Sequence, residues 1–189
     1  MNIQNVEDFS YENLPNKKNI VLDLGCGKGL FLVRMAQRYP EDIFIGIDYS
    51  QSVIKAATQK VKKAKLTNAI TLKGDFLKLL DCFPEGSLKK VYVICPDPWF
   101  KNKHRKRRTV TYKFMEKVYS LLKNNGVFHF TTDFGPYMLT VINEQYGNFK
   151  NPYPGVPWIH TIANHPFSTY MDKSLGSDGR VYHMRRIKS

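Results

Sequence analysis

Ile20-Val21-Leu22-Asp23-Leu24-Gly25-Cys26-Gly27-Lys28-Gly29 is the stretch on which the fold turns. Its first five residues are apolar apart from one acid, which predicts a buried strand that ends where the glycines begin. Residues 30–38 (LFLVRMAQR) then carry apolar side chains at helical spacing and stop before Pro40. Glycines between a strand and a helix let the backbone turn sharply and come close to a ligand, with a helix N-terminus behind it. Their spacing is GxGxG, and Leu30 stands where the dinucleotide-binding fingerprint has its third glycine.

Outward from this turn the pattern repeats. Ile43 to Ile47 reads as a strand, 51–64 as a helix, Ala69 to Leu72 as a strand, 76–81 as a short helix and Lys90 to Cys95 as a strand. A helix at 110–123, a strand at Val127 to Thr131, a helix at 136–145 and a last strand at Val181 to Arg185 complete the order. Alternation of this kind implies an α/β fold, a mostly parallel sheet with helices on both faces. The 189 residues suit a single domain, 1–189, with a short polar segment at 1–18. Residues 147–168 hold four prolines and two glycines without a clear period and read as a long loop.

Hydrophobic residues make up 42% of the chain and aromatics 13%, enough for a packed core. The charge is unusual: 29 Lys and Arg against 16 Asp and Glu leave +13, which points to a polyanionic partner. Cys26, Cys82 and Cys95 form no CxxC pair and suggest neither a disulfide framework nor a zinc site, in keeping with a reducing, cytoplasmic compartment. No apolar run approaches the roughly 20 residues that a membrane span needs. No metal is expected.

Three acids stand at three successive strand ends. Asp23 precedes the first glycine, Asp48 closes the second strand 19 residues after Gly29, and Asp75 follows the third strand. Each alone could be a helix N-cap. Together they converge on the edge where open α/β sheets bind ligands, and a carboxylate at Asp48 can accept hydrogen bonds from both hydroxyls of a ribose.

Over residues 19–132 this arrangement resembles the class I methyltransferases, a Rossmann-like fold with a mostly parallel seven-stranded sheet that binds S-adenosylmethionine. The resemblance implies cofactor contacts from Asp23, Gly25, Gly27, Gly29, Asp48, Asp75 and Asp97. Asp23 would face the methionine amino end, Asp48 the ribose and Asp75 the adenine.

The fourth strand ends in Cys95-Pro96-Asp97-Pro98-Trp99-Phe100 and runs into Lys101-Asn102-Lys103-His104-Arg105-Lys106-Arg107-Arg108. Six of these last eight residues are Lys or Arg, so removing the run would take the net charge from +13 to +7. Such a run beside an acceptor pocket can hold phosphates while one base enters the pocket. The PDPW-x-K-x4-KRR pattern, Thr131-Thr132-Asp133-Phe134 and Thr169-Tyr170-Met171-Asp172 with the downstream Gly176 resemble the signatures of the tRNA (guanine-N7)-methyltransferases. Asp172 stands where that family usually has Glu, and Phe134 where it has Trp or Asn.

The resemblance implies Asp97 and Asp133 as catalytic residues, and Lys101, Asp133, Thr169 and Asp172 as substrate contacts. It implies Lys103, His104, Arg105, Lys106, Arg107 and Arg108 as RNA contacts. The expected partner is tRNA, methylated at N7 of a guanine in the variable loop by a monomer or homodimer. Guanine N7 carries a lone pair and no proton, so the transfer needs positioning and electrostatics but no general base. A methyltransferase for another acceptor and a non-catalytic RNA-binding protein are the alternatives.

Overall fold

The computed structural model describes residues 4–144, 146–161, 168, 171–172 and 179–189. In chain order they form β1 (Gln4–Asn5), β2 (Ile20–Leu24), α1 (Leu30–Arg38), β3 (Ile43–Asp48), α2 (Gln51–Lys63), β4 (Ala69–Lys73) and α3 (Phe76–Asp81). There follow β5 (Leu88–Ile94), a 3-10 helix over Asn102–Arg107, α4 (Tyr112–Leu121), β6 (Leu122–Thr132), α5 (Gly135–Asn143) and β7 (Tyr182–Ile187). The seven strands make one sheet in the order β1-β4-β3-β2-β5-β6-β7. Every pairing is parallel except β6 with β7. This is the expected α/β architecture.

The core has two halves, one on each side of the sheet. Phe31, Leu32 and Met35 of α1 pack with Val21, Phe44 and Tyr92 on one face. Leu79 of α3, Phe114 of α4 and Tyr137 of α5 pack with Leu22, Ile45 and Phe128 on the other. A fully buried Phe or Leu removes enough apolar surface to contribute about 1.5–3 kcal/mol. Asn68 is a polar tie in this core, its amide donating to the carbonyls of Ala36, Tyr39 and Asp42 at 3.0, 3.2 and 3.0 Å. It fixes the exit of α1 against the entry to β3.

Three features differ from the sequence reading. The polar N-terminal segment supplies the seventh strand, because Gln4 and Asn5 pair with Leu72 and Lys73 while Val6 beside them is buried. Strand β6 starts at Leu122 rather than Val127, with an irregularity that puts Asn125 in the left-handed region at φ 62°. The stretch predicted as a loop is pinned to β7 by antiparallel bridges, Lys150 to Ile187 and Ile159 to His183. Pro152, Pro154 and Pro157 lie between those bridges and lack the N–H groups that a continuous ladder would need.

Candidate functional site

The sheet order reverses at β2, which has β3 on one side and β5 on the other, and ligands bind at such switch points beyond the carboxyl ends of the strands. A cavity of about 490 Å³ opens there. Asp48 and Tyr49 from the end of β3, Gly74, Asp75 and Phe76 after β4, and Cys95, Asp97 and Trp99 after β5 line it, together with Arg107 and Thr109. A second hollow of about 170 Å³ is lined by Asp23, Cys26, Gly27, Lys28 and Phe31 and shares Gly25 and Cys95 with the first. The shared walls make one trench, in the size range of cofactor sites.

The glycine turn closes this trench from below. Gly25 and Cys26 donate their backbone N–H groups to the Ile47 carbonyl at 2.9 and 3.0 Å, which ties the turn to β3. Gly25, Gly27 and Gly29 all have positive φ, 79°, 55° and 72°, where side chains are disfavoured. At Gly29 a Cβ would also sit 2.8 Å from the Ala57 Cβ, so this glycine lets α1 and α2 approach each other and does not line either hollow.

The three acids are held differently. Asp48 accepts from the Gly27 N–H at 3.1 Å on one oxygen and from the Ser50 N–H at 3.0 Å on the other. Asp75 caps α3, accepting from the Leu77 N–H at 2.8 Å. The N-cap role is therefore real at Asp75, yet each carboxylate still has lone pairs for a ligand and lies on the cavity wall. Asp23 is 2% exposed, and its Oδ2 has no hydrogen-bond partner among the described residues. Burial, and secondarily the charge of Asp48, push its pKa up to about 7. A buried carboxyl in that condition gains most from a cationic partner. A ligand with an ammonium group, a ribose and a purine suits a trench that offers a buried carboxyl at Asp23 and wall carboxylates at Asp48 and Asp75. S-adenosylmethionine has this composition.

Beyond β5 the chain turns through two residues of positive φ, Cys95 at 47° and Trp99 at 48°, with Asp97 exposed between them. The Cys95 N–H donates to the Thr131 carbonyl at 2.9 Å and joins this turn to β6. Burial and the neighbouring Asp133 carboxylate raise the Cys95 thiol to about 12, so it stays protonated at neutral pH. Trp99 walls the cavity, with the Arg107 guanidinium 5.0 Å from its ring centre and the His104 ring edge-on at 5.8 Å. Phe100 is exposed and meets Phe134 edge-on at 4.9 Å.

The basic run does not act as one surface. Lys101, Lys103, Arg105, Lys106 and Arg107 are exposed, with Arg105 donating to the Thr140 hydroxyl at 3.1 Å. Arg108 is a correction to the sequence reading, being only 6% exposed. Its guanidinium donates to the Pro98 carbonyl at 2.9 Å and the Thr140 hydroxyl at 3.0 Å, and lies 4.6 Å from the Tyr137 ring centre. It braces the turn carrying Asp97 against α5. Successive residues of a 3-10 helix point in different directions, so a contiguous run of charge does not stay on one side.

Asp97 and Arg107 are brought into the larger cavity with Asp48 and Asp75, and Asp23 and Gly27 into the smaller hollow. Asp133 stands against Cys95, Lys101 sits at the start of the 3-10 helix, and Asp172 pairs with Arg34 of α1 at 3.5 Å. Thr169, Tyr170 and Gly176 lie outside the described residues. Tyr49, Phe76, Cys95 and Thr109 were missed as wall residues. Tyr49 and Phe76 could have been found, since each directly follows a strand-end acid.

Residues 17–158 match the profile of a family described as "Putative methyltransferase". A tRNA (guanine-N(7)-)-methyltransferase of Halalkalibacterium halodurans is 43% identical over 115 residues, 60% of this chain and 52% of that protein. The chain thus spans about half the length of that relative. A protein of the same name from Geobacter metallireducens is 31% identical over 92% of this chain and 84% of its own length. An antibiotic-related methyltransferase of solved structure shares the fold, with a TM-score of 0.64 at 15% identity over 99% of this chain and 95% of that one.

Proposed function

Because this chain belongs to the tRNA (guanine-N(7)-)-methyltransferase family, we propose that it transfers a methyl group from S-adenosylmethionine to N7 of a guanine in tRNA, in the variable loop and in the cytoplasm. The observation that carries this reading is the trench itself: a buried Asp23 carboxyl at one end, its Oδ2 without a hydrogen-bond partner among the described residues, and Asp97 beside Arg107 and Trp99 at the other. S-adenosylmethionine, when bound, supplies an electrophilic methyl on a sulfonium.

The chain's own residues supply placement. Asp23, Asp48 and Asp75 hold the ammonium, ribose and adenine. Asp97 and Asp133, with Asp172, accept hydrogen bonds from the N1–H and amino edge of guanine, which orients N7 and stabilises the positive charge growing on the ring. Lys101 and Thr169 complete the substrate contacts, while Arg107, the exposed cations at Lys103, Arg105 and Lys106, and the partly exposed His104 meet the RNA backbone. No residue needs to remove a proton from N7, and the protonated Cys95 is not a nucleophile.

The test is methyl transfer from labelled S-adenosylmethionine to unmodified tRNA, with nucleoside analysis and borohydride-aniline mapping of the product. The expected result is 7-methylguanosine at one site. Tight cofactor and tRNA binding with no methylated guanine would reject the acceptor.

A further inference from the structure

Trp99 and Phe100 are adjacent aromatics with different surroundings. Trp99 has a positive φ of 48°, rare for a bulky residue, and lines the larger cavity with the Arg107 guanidinium 5.0 Å from its ring centre. Phe100 stands outside that wall and is 67% exposed. It meets the Phe134 ring edge-on, with 4.9 Å between centres and 77° between planes. A lone exposed Phe is ordinary on a protein surface, but this one is fixed from two elements. Phe134 precedes α5 and has the Arg108 guanidinium 5.9 Å from its ring centre. Arg108 in turn donates to the carbonyl of Pro98, two residues before Phe100, and to Thr140 of α5. One buried cation thus ties both rings together, and Phe100 keeps its place without being covered.

Chain order puts the two rings beside the acceptor pocket. Phe100 comes three residues after Asp97, and Phe134 directly follows Asp133; these are the acids that the functional reading sets against guanine. The exposed cations Lys101, Lys103, Arg105 and Lys106 follow Phe100, and Arg105 donates at 3.1 Å to the same Thr140 hydroxyl as Arg108. A ring bordered by cations suits a nucleotide, which offers a flat π-face and a phosphate together. A second copy of this chain would instead bring its own net charge of +13 against that border. Drawing one guanine out of an RNA stack leaves the neighbouring base without its partner. An aromatic face restores that stacking whatever the base.

We propose that Phe100, held by Phe134, stacks on the nucleobase flanking the target guanine and so holds the RNA open beside the pocket. The inference rests on tRNA being the substrate.

The experiment compares tRNA affinity, its salt dependence, steady-state kinetics and oligomeric state for the native chain, Phe100→Leu and Phe100→Tyr. Leucine keeps an apolar side chain at the site but has no π-face. The expected Phe100→Leu variant binds tRNA about tenfold more weakly with an unchanged salt slope, since no phosphate contact is lost, and its loss in kcat/KM lies in KM. Phe100→Tyr should restore the native affinity. Native affinity in folded Phe100→Leu overturns the proposal, a loss carried mainly by kcat gives the ring to the target base instead, and a change of oligomeric state makes it a protein contact. A probe on the native chain is independent of how any variant folds: 5-iodouridine placed on either side of the target guanine should crosslink to Phe100 on irradiation, and no crosslink there from either position overturns the assignment. If the native chain neither binds nor methylates tRNA, the functional reading itself has failed; if it methylates tRNA while Phe100→Leu is indifferent, only this inference has.

Discussion

Replacing Asp23 with Asn should make the cofactor-free protein more stable and the cofactor-bound state weaker, with the stability gain growing as pH rises. The Asp23 pKa goes from 3.8 to about 7 on folding, chiefly through burial. A shift of about three units corresponds to roughly 4 kcal/mol. The sign follows from proton binding: the folded state holds the proton more tightly, so stability is fully present below the unfolded pKa of 3.8 and is lost as pH rises to about 7. At about pH 5 only the first part of that loss has occurred, and by about pH 8 it is complete. The stability gap between Asp23→Asn and the native chain should therefore widen by about 3 kcal/mol between those two pH values. Taking the gap as a difference cancels the titrating groups that do not interact with Asp23 and the packing of the new amide. Urea denaturation of both proteins at both pH values measures it. Titration calorimetry at pH 8 should show S-adenosylmethionine binding weakened about 10- to 100-fold, from the loss of a hydrogen bond to a charged group. A gap independent of pH would refute the buried, unpaired state assigned to Asp23, and unchanged cofactor affinity would remove it from the cofactor site.

Asp97→Asn and Asp133→Asn should each lower kcat by about 100-fold or more with cofactor affinity changed little, because each removes charge opposite the developing cation on guanine; wild-type turnover in steady-state assays of either would reject its role. Neighbouring arginines should separate cleanly. Arg107→Ala should reduce tRNA affinity and the salt slope by about one with little change in Tm, whereas Arg108→Ala should lower stability by about 2–3 kcal/mol through its buried contacts, as read by thermal melts and filter binding. Asn68→Ala should cost about 2–3 kcal/mol in urea denaturation without altering cofactor affinity at saturating native fraction, since it strands three carbonyls at the base of the sheet.

Most of the sheet was legible in the chain. Apolar runs such as Ile20–Leu24 and Ile43–Asp48 have no polar alternation to confuse with surface strands, and the glycines at 25, 27 and 29 announce a turn that only positive φ can make. The strand-end acids at 23, 48 and 75 could be read for the same reason: in a parallel sheet with regular crossovers, the residue after each strand falls on the same edge. What periodicity could not show was β1, because Gln4 and Asn5 are polar and become a strand only by lying beside β4.

Sequence by itself determined the α/β class, the edge on which the site lies and which acids stand there, because these follow from local pattern and chain order. Tertiary structure alone decided how each charge is used. Arg107 and Arg108 are adjacent and chemically identical, yet one faces the cavity over Trp99 and the other is buried against Pro98, Thr140 and Tyr137. Asp23 and Asp48 are both strand-end acids, yet two backbone amides donate to Asp48 while burial leaves one oxygen of Asp23 without a partner among the described residues. Charge and polarity are properties of a residue, whereas desolvation and partnership are properties of its neighbours, and those are set by segments distant in the chain.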